Sequence, residues 1–235
     1  MKSKFLKLRE NVAAINRDLG ESGLVLLTWG NASAVDRARG VMAIKPSGVD
    51  YKALRAADVV VVSLETGAVV AGTLRPSSDT PTHLELYRHF TGIGGVVHTH
   101  SVDATSWAQA RSPLPCMGTT HADHFHGAVP VARELTRAEI AGAYEQNTGL
   151  AIVETFRRRK IDPSHMPAVL VPGHAPFVWG ADARAALDNA LALEGAARMA
   201  IQTLLIRPKA TALAKQLLDR HFLRKHGGGA YYGQK

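Results

Sequence analysis

Cysteine is nearly absent. The single one among 235 residues, Cys116, has no partner for an internal disulfide, so nothing in the sequence asks for an oxidising compartment. Aromatic residues are scarce, at 6%, and do not alternate with the basic ones, which argues against a stacking platform for single-stranded nucleic acid. No apolar run approaches the roughly 18 residues of a membrane helix. The stretch from Met1 to Glu10 mixes charge with apolar side chains and lacks the apolar core of a signal peptide. Repeats, low-complexity tracts and long polar linkers are missing too. With 46% hydrophobic and 20% charged residues, the chain can bury a core, which excludes a disordered or disulfide-stapled protein. The expectation is one cytoplasmic domain spanning 1–235, with no nucleic-acid and no membrane partner.

Positive charge and histidine are plentiful. Lys and Arg number 28 against 20 Asp and Glu, a net charge of +8, which suits anionic small substrates as well as solubility. The basic residues fall in short scattered runs, Arg157 to Lys160 and Arg220 to Lys225, and the first reads as the exposed end of a helix. The eleven histidines are grouped: His98 with His100, then His121, His124 and His126. Imidazole is the commonest metal ligand and a frequent acid/base group, so such grouping favours a metal or proton-transfer site.

Periodicity outlines the elements. Leu6, Val12, Ile15 and Leu19 recur at helical spacing within Lys4–Leu19. Val41–Ile44 and Val59–Leu64 read as strands, the second buried on both faces. Helices are expected over Thr82–Phe90, Val102–Arg111, Thr136–Thr148, Val153–Lys160, Ala183–Ile206 and Ala212–Lys225. Gly95–His98 reads as a short strand, and Ala168–Val171 and Phe177–Trp179 as a pair joined by Pro172–Pro176. Strands alternating with helices predict a layered α/β domain, with the strand directions left open.

His98 and His100 sit at i and i+2 of a strand end, so both side chains face one way and can meet one ion. A pair of hydrogen-bonded histidines is the plainer alternative. His174 stands in a Pro/Gly loop that can present a ligand rigidly. Asp79 lies just ahead of a helix and could cap it; if Pro81 takes the first helical position, however, Thr80 is the cap and the Asp79 carboxylate is free. Three imidazoles and a carboxylate suit Zn²⁺ and accommodate Mn²⁺ or Co²⁺. Asp123, within the cluster Thr119–His126, can serve as a general acid/base if burial holds it near the working range; a solvated loop or a separate metal site are the alternatives for that cluster. Three segments suit a phosphate: Trp29–Ser33 with Asn31, Lys45–Gly48 with Lys45, Ser47 and Gly48, and Ser77–Ser78 before a helix. Ordinary turns explain each alone. The tail after His226 holds Tyr231 and Tyr232 beyond a glycine run, either a loose end or an arm that brings a phenol to a site.

These motifs together resemble the class II aldolase/epimerase family, and within it the epimerases of L-ribulose 5-phosphate. The segments are TWGNASAVD at 28–36, IKPSGVDY at 44–51, PSSDTPTH at 76–83, GGVVHTHS at 94–101, GTTHAD at 118–123 and AYYGQ at 230–234. The resemblance implies a three-layer α/β/α domain with a central, largely antiparallel sheet, assembled as a homotetramer with sites at subunit interfaces. It implies that Asp79, His98, His100 and His174 bind one divalent metal, usually zinc. Asn31, Lys45, Ser47, Gly48, Ser77 and Ser78 would hold the phosphate of a pentulose, Asp123 and Tyr232 would be the acid/base pair, and Thr119, Glu145 and His221 would line the site.

The implied reaction inverts C4 of L-ribulose 5-phosphate to give D-xylulose 5-phosphate. C4 carries no acidic proton, so simple deprotonation cannot invert it, whereas cleaving and re-forming the C3–C4 bond can. Fuculose-phosphate aldolases of the same family stop after cleavage, place a glutamate where Asp79 stands, and lack the tyrosine ending. A non-catalytic relative such as the adducin head would have eroded ligands. His124 and His126, where the family often has tyrosines, and Pro172 before the ligand loop are departures that bear on the sugar pocket.

Overall fold

A computed structural model describes residues 4–231. Among these described residues seven strands form one sheet in the order β4-β3-β2-β1-β5-β7-β6, and each pairing between them is antiparallel. The strands are β1 (Asn31–Asp36), β2 (Val41–Ile44), β3 (Val60–Ser63), β4 (Val69–Ala71), β5 (Gly95–His98), β6 (Ala168–Leu170) and β7 (Pro176–Gly180). The helices are α1 (Leu6–Glu21), α2 (Thr80–His89), α3 (Val102–Gln109), α4 (Thr119–Ala122), α5 (Arg137–Ala141), α6 (Tyr144–Arg159), α7 (Ala183–Ile206) and α8 (Lys215–His226). The expected α/β fold with a central antiparallel sheet flanked by helices is what the chain adopts. Among the described residues, no helix is long and apolar enough to cross a membrane.

Helices cover the two sheet faces with different chemistry. On one face, α1 and the Ala-rich α7 lie against β1, β5 and β7. Small side chains allow this close approach: a Cβ on Gly180 would stand 2.5 Å from the Ala186 nitrogen, and one on Gly95 2.4 Å from the Ala183 Cα. On the other face, α2 and α6 pack on each other and on the aromatic ends of the sheet. Phe90 and Phe156 each lie 5.2 Å from Trp179, ring to ring, and such pairs add about 0.5–1.5 kcal/mol beyond their buried area.

One strand goes unforeseen and one helix break is misplaced, for identifiable reasons. The segment Trp29–Ser33 runs into the sheet, and Asn31 opens the central strand β1. Asn, Ala and Ser carry little strand propensity, so the segment does not look like a sheet centre. Gly30 needs its φ of +106°, and a Cβ there would come within 2.8 Å of the His98 carbonyl oxygen. The helix break expected between Thr148 and Val153 falls instead at Gly142, between α5 and α6. Gly149 lies inside α6, where a Cβ would meet that of Glu85 at 2.7 Å. It is a helix-packing glycine, not a breaker.

Candidate metal centre

Strand register builds the floor. Asn31 of β1 pairs with His98 of β5, which pairs with Phe177 of β7, so the three side chains share one rung and one face. His98 is buried, its ring stacked 4.2 Å from that of Phe177 at 15°. Its Nδ1 lies 2.9 Å from the Pro176 carbonyl. A carbonyl only accepts, so Nδ1 carries the proton and Nε2 keeps a lone pair. β5 ends at His98, so strand alternation does not place His100; the chain beyond the strand does. His174 comes from the β6–β7 turn, held by the Val171 amide on the Ala175 carbonyl and the His174 amide on the Val171 carbonyl, both at 3.0 Å.

The three rings form a near-equilateral triangle, with all three centroid separations 5.0 Å. One ring nitrogen from each lies within 4.8 Å of the others. Burial pushes His174 down to about 4, helped by His98 and His100, and lowers His100 as well. Both are therefore neutral near pH 7, the form that ligates a cation. Three converging imidazoles fit a divalent ion such as zinc.

Asp79 stands beside this triangle, lining the same cavity without belonging to the three-imidazole cluster. α2 begins at Thr80, one residue before Pro81, so Asp79 and not Thr80 occupies the cap position. Its carboxylate nonetheless bonds no helix amide, and the expected freedom from capping holds for another reason. Asn31 Nδ2 donates to Asp79 Oδ2 at 2.7 Å and to Ser77 Oγ at 3.0 Å. Burial alone would raise the Asp79 carboxyl, but His98, His83, Asn31 and His174 together hold it below the usual range. The other end of the amide, Asn31 Oδ1, is buried and has no partner among the described residues.

The same cavity is also lined by polar and basic groups. A bridge between Pro46 and Pro76, with Ser77 N donating to the Lys45 carbonyl at 3.1 Å, zips the Lys45–Gly48 segment to Ser77–Ser78. Lys45 is only 2% exposed, its ammonium 4.6 Å from the Tyr51 ring centre. Burial lowers it to about 8 against the opposing pull of Asp50. The Tyr51 hydroxyl donates to the Gly30 carbonyl at 2.6 Å and so fixes the turn before Asn31. The whole cavity measures about 620 Å³ and is bounded at α6 by Tyr144 and Glu145. Asn31, Lys45, Ser47, Gly48, Ser77, Ser78 and Glu145 thus share one cavity with Asp79 and the three histidines.

Thr119, Asp123 and His221 are not brought to it. They gather where α4 meets α8. Arg224 Nη2 donates to Asp123 Oδ2 at 2.9 Å, His221 Nδ1 lies 3.1 Å from Oδ1, and Lys225 Nζ is 3.7 Å from Oδ2. Burial would raise the Asp123 carboxyl, but Arg224, His221 and Lys225 hold it below the ordinary range. Tyr232 lies outside the described residues. The histidines of the 119–126 cluster take separate partners: His121 Nε2 the Gly127 carbonyl, His124 Nδ1 the Asn189 amide oxygen, and His126 Nε2 the Asp219 carboxylate. Among the described residues they assemble no metal site of their own. Sequence reasoning missed Tyr144 and Trp29 as cavity residues and Arg224 as the partner of Asp123. Each adjoins a residue that the motifs had marked or sits in a basic run, but no spacing rule singled it out.

Comparison with known proteins agrees with this arrangement. An L-fuculose 1-phosphate aldolase is 26% identical in sequence and superposes with a TM-score of 0.76, over 92% of this chain and 94% of its own. The L-fuculose-1-phosphate aldolase of Thermus thermophilus is 27% identical, with a TM-score of 0.66 over 88% and 99% of the two chains. YgbL from Klebsiella pneumoniae is 25% identical, with a TM-score of 0.71 over 91% and 97%. The family model for the class II aldolase and adducin N-terminal domain matches residues 10–201. With the fold, the histidine triangle and this match together, the chain belongs to the class II aldolase and adducin N-terminal domain family.

Proposed function

We propose that the whole chain is one catalytic domain of this family, a metal-dependent enzyme that cleaves and re-forms a carbon–carbon bond in a phosphorylated sugar. More specifically, it epimerises L-ribulose 5-phosphate to D-xylulose 5-phosphate at C4. The observation that carries the reading is one cavity lined both by three converging imidazoles and by a buried lysine with serine hydroxyls. A ketose phosphate has the matching polarity, with oxygens for a cation and a dianion for Lys45. The intact histidines also separate the chain from a non-catalytic relative.

His98, His100, His174 and Asp79 would hold the divalent ion, zinc by its donor set. When bound, such an ion supplies Lewis-acid stabilisation of the negative charge that develops as the bond breaks. Lys45, Asn31 and the serines hold the phosphate, so the aldehyde fragment stays tethered while it turns its other face. The alkoxide forms on opposite faces in the two directions, which calls for two acid/base groups, Asp123 and Tyr232. Asp123 does not line the cavity of its own chain, which supports a homotetramer in which it, with Thr119 and His221, serves a neighbouring subunit's cavity. There it must exchange part of the Arg224 pairing for the sugar hydroxyl, because a carboxylate held so low is a weak base.

The second reading is a fuculose-phosphate-type aldolase, favoured by the similarity to two such enzymes across nearly the whole chain. The place of Asp79 favours the epimerase: its short carboxylate is bonded by Asn31 beside the three imidazoles, an arrangement suited to ligation, where those aldolases are expected to carry a glutamate base. Zinc-loaded protein incubated separately with L-ribulose 5-phosphate and L-fuculose 1-phosphate tests the choice. D-xylulose 5-phosphate from the first, with no net cleavage of the second, is the expected result. Rapid cleavage of fuculose 1-phosphate without epimerisation would give the role to the aldolase reading.

A further inference from the structure

Two of the three candidate ligand rings are tied down through Nδ1. For His98 the partner is a backbone carbonyl. For His174 it is a side chain: the Tyr144 hydroxyl lies 3.3 Å from Nδ1, with the ring planes 29° apart and the centroids 6.3 Å apart. Tyr144 is the first residue of α6, directly after the break at Gly142. A helix continuous over residues 136–148 would have buried it in mid-helix. Its backbone is fixed on both sides, the amide donating to the Gly142 carbonyl at 3.1 Å and the carbonyl accepting from Thr148 Oγ1 at 2.9 Å.

We propose that Tyr144 is a positioning residue that fixes the orientation of the His174 ring through its Nδ1. This rests on the metal centre proposed above. A neutral imidazole has one ring proton. If Nδ1 carries it and donates to the phenol oxygen, Nε2 keeps its lone pair for a cation. If the phenol donates to Nδ1, the proton sits on Nε2 and that nitrogen cannot ligate. A hydroxyl can do either, so by itself it fixes no tautomer; a cation at Nε2 selects the accepting role, and the bond then holds the ring in place. Outer partners of this kind orient metal-binding histidines generally. Here the partner, unlike the carbonyl behind His98, can be deleted by one substitution.

Tyr144→Phe keeps the ring against His174 and removes only the hydroxyl. Zinc affinity, measured by chelator competition, should fall about tenfold or more, within the 10–100-fold range seen when such partners are lost. The unfolding midpoint of the metal-free protein should not move. Equal zinc affinity in wild type and variant overturns the inference alone, whereas a wild-type chain that binds no zinc overturns the metal centre and the inference with it. Nitrogen-resolved NMR of the zinc-loaded wild type checks the ring orientation that the bond requires. A proton on Nδ1 of His174 supports the assignment, and a proton on Nε2 overturns it.

Discussion

Asn31 and Asp79, 48 residues apart in sequence, are joined by a 2.7 Å hydrogen bond from the amide to the carboxylate. The amide's second proton goes to Ser77, so one side chain of the central strand orients both the candidate ligand and the segment that would hold phosphate. Asn31→Ala should therefore loosen both parts of the cavity. Without the amide, burial is less opposed at Asp79 and its carboxyl rises. Zinc affinity should fall about tenfold, the lower bound for a lost outer partner, and the KM for a phosphorylated substrate should rise. A variant matching wild type in a chelator titration would remove Asn31 from the design.

Lys45 predicts an alkaline limit. Its ammonium, lowered to about 8 by burial, is charged below that pH and neutral above it. The free enzyme should then lose grip on a phosphate dianion as pH rises through 8, seen as a decline in kcat/KM on that limb. Lys45→Met should bind weakly at every pH and lose the limb. A wild-type profile flat to pH 9.5 would show that the charge of Lys45 is not used.

Stability should weaken on mild acidification of the metal-free protein. Burial lowers His83 to about 3, and His121 to about 4 against its bond to Gly127, whereas an unfolded histidine titrates near 6.5. Above pH 6.5 both states are neutral and the full contribution is present. As pH falls towards 4, the unfolded chain takes up protons that the folded imidazoles refuse, so stability is lost. Each group contributes about 1.4 kcal/mol per pH unit inside that window. The two together should lower the unfolding free energy by roughly 2–3 kcal/mol between pH 6 and 5. Denaturant titrations at the two pH values check this, and equal midpoints would contradict it.

Gly149 offers a test of packing. In an exposed helix, Gly→Ala stabilises by about 1 kcal/mol. Here the new methyl would stand 2.7 Å from Glu85 Cβ and 3.1 Å from the Thr82 carbonyl oxygen, forcing α2 and α6 apart. Gly149→Ala should lower the unfolding midpoint, with a cost of about 1–3 kcal/mol for overpacking. A gain in stability would mean that the two helices can yield.

Tyr232 is argued from the resemblance alone, and Tyr232→Phe should cripple epimerisation while leaving zinc content at wild-type level. Unchanged turnover would take it out of the mechanism.

Much of the architecture was legible because its signals are local. β2, β5 and α7 fall at the expected residues, since apolar runs and helical spacing are properties of neighbouring side chains. The basic run Arg157–Arg159 does close a helix, α6, where positive charge meets the carbonyl end. β1 was not legible: Asn31, Ala32 and Ser33 have weak strand propensity and are held in the sheet centre by β2 and β5 on either side. The break at Gly142 was missed and one near Gly149 expected, because a glycine that ends a helix and one that lets two helices touch look alike in one dimension.

The amino-acid order alone determined the supply of chemistry: grouped imidazoles, a carboxylate beside a proline-led helix, a lysine and serines in glycine turns. Residue type carries donor, charge and ligand character wherever the chain puts it. Only the tertiary structure decided which of these meet. It closed His98, His100 and His174 into a triangle, gave the Asp79 carboxylate to Asn31, and set Asp123 against Arg224 away from the cavity. Those outcomes depend on strand register and on burial among distant segments, which raise or lower each group's affinity for protons, and neither is written in any short stretch of sequence.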